Sequence, residues 1–372
     1  MLHLKNSYPI GIDIADQNIC AVQLQDNGPG IVVRELFHQK LNTGSTTSTE
    51  PDETMVPILK TIAKNKRFRG KSAAIHLPAQ YICSFPLSFE VGTDETLEDV
   101  MVRECRRYLS FPLEEAVIDY PSIIDMSTGK NKRFKATIIA VHRSRIEQYM
   151  HLLKRAGLSL ETIDFDLCCL LRLHNYLYAP KDDPFILCNV DYSQTLIAVV
   201  TQDRILAHHH VPWGIQPLLN RLESNLELSG DSEQTAGLLT TYGLYYEDCI
   251  NLSENSIAKG NQKQDDATEI YRVVFQILSP YVDKLVHEFY KIIGYARSEM
   301  QQVKFEEISM YGQANSVNFL DQYLEKRLNI RTRCVNPMVK LALRNSSLPP
   351  DTSEGAAFAM ALGLAMQKLR WL

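Results

Sequence analysis

No CxxC pair occurs among the eight cysteines (20, 83, 105, 168, 169, 188, 249 and 334), and most of them lie inside apolar segments. That spacing argues against a zinc site and favours reduced core thiols over a disulfide framework. No apolar stretch reaches the roughly 18 to 20 residues that a spanning helix needs; the longest runs only from Ala356 to Met366. The first nine residues hold no apolar leader segment, and Asp13 and Asp16 interrupt the apolar stretch behind them, so the mature chain is expected to start at Met1 in the cytoplasm. Charge of neither sign dominates. The 39 Lys and Arg against 44 Asp and Glu leave a net charge of −5, which gives no electrostatic reason to expect nucleic acid or an anionic membrane as the main partner. Nucleophile elbows, Ser-His-Asp spacing and metal-ligand clusters are missing too, so nothing supports a hydrolase. What remains, 45% hydrophobic and 22% charged residues over 372 positions, is an ordinary globular composition with core enough for two domains.

Two similar stretches stand out in what is present. Ile186 to Val190 and Leu196 to Val200 are Ile/Val-rich runs of strand length, joined by the polar turn Asp191-Tyr192-Ser193-Gln194. A near copy starts the chain: Ile10-Gly11-Ile12-Asp13-Ile14, a turn over Ala15 to Asn18, then Ile19 to Leu24. Each hairpin puts an Asp at the end of its first strand, and the two copies lie roughly 180 residues apart. They resemble the paired phosphate loops of the actin, Hsp70 and sugar-kinase superfamily, which implies two similar halves facing across a cleft.

Between the hairpins the pattern predicts a helix over Thr54 to Asn65 and a strand over Ala73 to Leu77. A self-contained module then runs from 81 to 165 in the order strand, helix, strand, strand, helix, strand, with Ser144 and Glu147 at capping-box spacing and Gly157 as a helix stop. A helix over Leu167 to Tyr178 leads into the second hairpin. Beyond Gly214 the reading is mostly helical: Ile215 to Leu228, Ser232 to Tyr242, and Thr268 to Ser298 with a possible division at Pro280. Asn251 to Asp266 holds too few apolar residues to pack and reads as a mobile loop. A strand over Glu307 to Tyr311, a helix over Val317 to Leu328 and a final helix over Ser353 to Leu369 complete the chain.

Four further motifs, PLSFEVGTDETLEDVMVRECRRYLSFPLEEAVIDY (Pro86 to Tyr120), AGLSLETIDFDL (Ala156 to Leu167), ISMYGQANSVNFLDQYLEKRLNI (Ile308 to Ile330) and AMALGLAMQKL (Ala359 to Leu369), make the chain similar to the type IV pilus assembly protein PilM family over nearly its whole length. The resemblance implies an α/β, two-lobed actin-like (ribonuclease H-like) fold with an inserted small α+β subdomain of the kind found in the cell-division protein FtsA. The first lobe would comprise 1–80 and 166–184, the insertion 81–165, and the second lobe 185–372, with a mostly helical part at 215–305 and a C-terminal helix at 353–372. It also implies a cytoplasmic scaffold, peripheral to the inner membrane, that binds the cytoplasmic N-terminal segment of PilN, a single-span membrane protein, in a groove between the first lobe and its insertion.

The resemblance places a nucleotide and magnesium at Asp13, Asn18, Asp191, Ser193, Gly214, Gly312 and Gln313. Phosphate loops need glycines that let backbone N–H groups approach the oxygens, and a lysine to offset charge. Here Gly-x-Asp-x-Gly ends in Ala15, the lysine position is Cys20, Asp16 adds a carboxylate, Ser193 replaces the second loop's glycine, and Ala236 and Leu239 stand where Glu and Lys approach the base. Losing one favourable charge pair and gaining one unfavourable pair, each worth about 4 kcal/mol at 4 Å and an effective dielectric of 20, rivals the roughly 8 kcal/mol of a micromolar affinity. ATP and magnesium are therefore expected to bind weakly or not at all. An alternative for both aspartates is to cap N–H groups of their own turns. His208-His209-His210 reads as a solvated strand end rather than a metal site, Arg103, Arg106 and Arg107 as a solvated helix face, and Trp213 as core. The leading functional expectation is a non-catalytic scaffold. The alternative is an active ATPase or sugar-kinase-type enzyme of the same fold, and an FtsA-like filament former is disfavoured because no linker and amphipathic anchor follow the last helix.

Overall fold

The computed structural model describes residues 8–28, 30–41, 54–128, 132–179, 183–228, 232–245, 263–300, 303–341 and 353–369. The first hairpin is β1 (Ile10–Ile14) and β2 (Asn18–Asp26), continued by β3 (Ile31–Lys40). Helix α1 (Met55–Lys64) and strand β4 (Ser72–His76) follow, and β8 (Ser159–Asp164) closes a five-stranded sheet in the order β3-β2-β1-β4-β8. The second hairpin, β9 (Phe185–Val190) and β10 (Thr195–Val200), is extended by β11 (Ile205–Val211), β12 (Glu307–Gly312) and β13 (Arg331–Cys334) into a sheet ordered β11-β10-β9-β12-β13. Directions repeat as well as order. In both sheets the first three strands are antiparallel and the last three parallel, so β1 corresponds to β9 and β4 to β12. The two similar halves read from the hairpins are thus present in the topology.

Strand alternation explains why both sheets are buried on both faces. Ile10, Ile12, Ile14 and Ile75 pack outward against α1 and against α3 (Arg143–Ala156), whereas Cys20, Val22 and Leu24 face inward. In the second sheet Ile186, Cys188 and Val190 face outward, and Leu187, Leu196, Ala198 and Val200 inward. The inward faces share one core with α4 (Asp166–Leu177) and with the C-terminal helix α9 (Ala359–Ala365). The outward face of the second sheet is covered by α5 (Gln216–Asn225), α6 (Ser232–Thr241), α7 (Lys263–Glu299) and α8 (Leu320–Leu328).

Several expected boundaries differ. The module expected over 81–165 is smaller: β8 pairs parallel with β4 in the first sheet and α3 packs against α1, so the insertion proper is β5 (Ile82–Val91), α2 (Leu97–Cys105), β6 (Ala116–Asp125) and β7 (Lys132–His142), with a sheet ordered β5-β7-β6. Local order alone does not say which sheet a strand joins. The C-terminal helix, expected with the second lobe, packs against α4, β1, β2 and β4 of the first. Its glycine and alanine surface admits this approach: a Cβ on Gly11 would lie 2.1 Å from Ala361 O, and one on Gly363 would lie 2.3 Å from Cys169 O. Pro280 does not divide α7, because the buried stripe Leu278, Val282, Leu285, Val286, Phe289 and Ile293 holds the helix continuous through it. His142, rather than Ser144, caps α3, its Nδ1 accepting from Ser144 N at 3.2 Å, and Gly157 ends the helix at φ 82°. Of the expected loop 251–266, residues 251–262 lie outside the described residues and 263–266 belong to α7. The seven described cysteines are unpaired. No described helix is long and apolar enough to cross a membrane.

Candidate functional site at the cleft

The carboxyl ends of parallel strands are where an open α/β sheet leaves room for a ligand, and in both sheets acidic residues stand there. Asp13 faces the middle layer because its neighbours Ile12 and Ile14 face outward. It is 7% exposed, and its Oδ1 lies 2.8 Å from His76 Nε2 at the end of β4. Burial would lower the His76 pKa, but the hydrogen bond and charge of Asp13, with the charges of Asp166 and Asp191, outweigh it and push the imidazole up to about 9. Its Nδ1 lies 3.2 Å from Leu77 O. Asp13 therefore favours the charged form of the His76 imidazole. Cys20, opposite Asp13 across the hairpin, is fully buried; burial and then the Asp13 charge hold its thiol well above the usual range, which makes it a neutral core group. Cys20 Sγ donates to Asn18 Oδ1 at 3.6 Å.

The second turn is built around close backbone contacts. Asp191 N donates to Gln194 O at 2.9 Å, and Gln216 N donates to Tyr192 O at 2.8 Å. Gly214 is required beneath it, since a Cβ there would sit 2.3 Å from Tyr192 O. Asn189 Nδ2 donates to Asp191 Oδ2 at 3.1 Å. Burial, then the charge of Asp13, push the Asp191 carboxyl up to about 7, with His76 opposing. Gly312 has φ 68°, and a Cβ there would meet Val190 O at 2.5 Å; Gln313 begins the short turn after it. The two turns touch: Ser193 Oγ donates to Asp16 Oδ2 across the cleft.

The structure thus brings Asp13, Asp16, Asp191 and Ser193 together, and places Gly214 and Gly312 as supports beneath the second turn. Neither aspartate caps its own turn in the expected way, since His76 and Asn189 are the side-chain partners. Two groups at the cleft escape the sequence reading. Asp166, at the first position of α4, accepts from His210 Nε2 at 2.7 Å, and His208 Nε2 lies 2.7 Å from Ser84 Oγ of the insertion. The expectation of a solvated strand end at 208–210 therefore holds only for His209, whose side chain is 61% exposed. Alternation along β11 was the available signal; which side met another element was not readable. Trp213 is core, 3% exposed, with its indole N–H donating to Tyr281 O at 2.9 Å. Leu239 is buried in the second lobe's core. No group of three His, Cys, Asp or Glu among the described residues is arranged to hold a metal ion.

The insertion offers other surfaces. Where it meets the first lobe, Arg145 lies 4.5 Å over the Tyr81 ring and Phe111 packs edge-on to His142 at 5.1 Å. Tyr108, 50% exposed, stacks on Phe85 at 4.5 Å. At the far end, a polar cavity of about 300 Å³ lies between β5 and α2, lined by Ser88, Glu90, Arg103, Glu104 and Arg133 among others. Arg103 pairs with Glu95 and Glu104, and Arg107 with Glu104, so two of the three arginines are locally neutralised.

Comparisons agree with this architecture. The family model described as type IV pilus assembly protein PilM matches residues 11–369. A solved PilM-PilN type IV pilus biogenesis complex superposes with a TM-score of 0.75 at 18% identity, covering 96% of this chain and 98% of that one. MreB5 of Spiroplasma citri bound to ADP gives 0.51 at 10% identity over 96% and 95%, and the ethanolamine utilization protein EutJ from Carboxydothermus hydrogenoformans gives 0.50 at 12% over 96% and 89%. The fold is the actin-like ATPase fold, mixed α/β with several sheets.

Proposed function

The chain belongs to the type IV pilus assembly protein PilM family, and from that membership we propose that it is a cytoplasmic, non-catalytic scaffold of the pilus inner-membrane platform, binding the short N-terminal segment of a PilN-like membrane protein beside its insertion. The observation that carries the partner is the family match over 11–369, together with the likeness to a solved PilM-PilN complex. What favours the junction of insertion and first lobe is the aromatic side chains there and the place of β5 at the edge of its sheet. An extended peptide is recognised by edge-strand hydrogen bonds and a few apolar anchors. Micromolar affinity suffices when several copies cluster at a membrane.

A weak or absent nucleotide is part of the same reading. Asp13 is committed to His76, the two turns are joined by Ser193 and Asp16, and the lysine position is a buried thiol. These residues do not fit a magnesium triphosphate, whose charge needs free carboxylate oxygens for the metal and cationic or N–H donors for the phosphates. No catalytic step is assigned. Fluorescence anisotropy with a labelled peptide from the cytoplasmic N-terminal tail of a PilN-like single-span protein is the direct test. Tyr108→Ala and Phe111→Ala are expected to weaken binding about tenfold, with Tyr290→Ala, whose hydroxyl bonds Arg327 O in the second lobe, as control. Equal binding by all three variants would place the groove elsewhere.

A further inference from the structure

Edge strands ordinarily turn unpaired backbone groups to solvent, but β11, at the edge of the second sheet, lies along the insertion and the first lobe. Ile205 N donates to Ser122 Oγ of β6 at 3.4 Å, His208 Nε2 is 2.7 Å from Ser84 Oγ of β5, and His210 Nε2 is 2.7 Å from Asp166 Oδ2 of α4. Lys135 of β7 adds an ion pair to Glu299 of α7 at 2.5 Å. The insertion thus touches both lobes, although it is connected by chain only to the first. The strand's two-residue period aims His208 and His210 into this interface and His209 out of it, toward Glu288 at 4.0 Å.

We propose that His208 and His210 form a protonation-dependent latch between the lobes, with His210 as the cation paired to Asp166 and His208 as the neutral ring bonded to Ser84, so that a proton lost from the first or gained by the second releases β11. The inference does not depend on the identity of any partner. The titratable groups facing His210 are Asp166 from α4, His208 from its own strand, Asp191 from the turn after β9 and His76 from β4, while His209 adds its charge to His208 from the other side of the strand. For His210, burial is opposed and outweighed by the charge and hydrogen bond of Asp166, so its pKa lies above the usual histidine value. For His208, burial and then the charge of His210 push it down to about 4; its ring centroid is 6.5 Å from that of His210 and 5.6 Å from Phe165. Two adjacent imidazoles in one interface hold a single proton between them far more readily than two. Above the His210 transition Asp166 is left a buried carboxylate without that cation; near pH 4 a second charge appears beside the first.

The test is amide hydrogen exchange on the full chain across pH, corrected for intrinsic rates, with histidine titration followed by NMR on selectively labelled protein. Protection in β11 and in the first turn of α4 is expected to fall at least tenfold more than in the central strand β9 as pH rises through the His210 transition. His210→Gln is expected to abolish that step, and His209→Gln to retain it. The proposal is overturned if His210→Gln keeps the wild-type pH course. It is equally overturned if His210 of the wild-type chain titrates without a change in β11 protection, a comparison that stands even where the variant fails to fold.

Discussion

Asp191 is a residue whose environment works against its charge. With its pKa raised from 3.8 to about 7 by burial and by Asp13, the folded chain binds a proton there that the unfolded chain has already lost. Stability from this group is therefore fully present below about pH 4, is lost as pH rises toward 7, and stays lost above. Asp191→Asn keeps an acceptor for Asn189 and removes the charge. Each tenfold change in proton affinity is worth about 1.4 kcal/mol, and the side chain retains some solvent contact, so a gain on the order of 2 kcal/mol at pH 8 and none at pH 4 is expected in urea unfolding. An equal effect at both pH values would show that the carboxylate is not what is strained. His76 runs in the same sense at higher pH: its contribution is complete below about pH 6.5 and disappears as pH passes about 9.

Among the elements, α9 makes the demand most clearly written in the sequence. Gly11, which the resemblance places in a phosphate loop, is instead the point where β1 admits the backbone of that helix: its Cβ would lie 2.1 Å from Ala361 O and 2.5 Å from Ala365 N. Gly11→Ala must push a buried helix away from a central strand, and a loss of about 2 kcal/mol or more is expected. Gly237→Ala in α6, where nothing lies within 4 Å of the new methyl, should instead gain about 0.5 to 1 kcal/mol. Denaturant midpoints of the two variants moving in the same direction would contradict this. The existence and ends of α3 and β8 were likewise legible from apolar spacing and Gly157. Their place in the first sheet was not, because β8 pairs with β4, more than 80 residues earlier in the chain.

For the whole molecule, two sheets of one topology enclose a shared layer of α4 and α9, and the cleft closes on its own side chains through Asp13 with His76, Asp166 with His210, and Asp16 with Ser193. A triphosphate entering there would meet carboxylates with no loop lysine to balance them. Calorimetry with magnesium and ATP is accordingly expected to give a dissociation constant weaker than about 10 μM, below roughly 7 kcal/mol. A submicromolar value, or steady phosphate release abolished by Asp191→Ala, would reverse the assignment of the cleft as non-catalytic.

The sequence by itself determined the repeated hairpins, the Asp at the end of each first strand, most of the helices with the Gly157 stop, and the family. All of these are local: two-residue and 3.6-residue periods, turn residues and motif order survive in a one-dimensional string. Tertiary structure alone decided that β8 joins the first sheet, that the last helix returns to the first lobe, and that His208 and His210 are interface groups while His209 is exposed. Each depends on which distant segment lies opposite, and a histidine at a strand end reads the same whether it faces water or, as at position 210, a carboxylate 44 residues away along the chain.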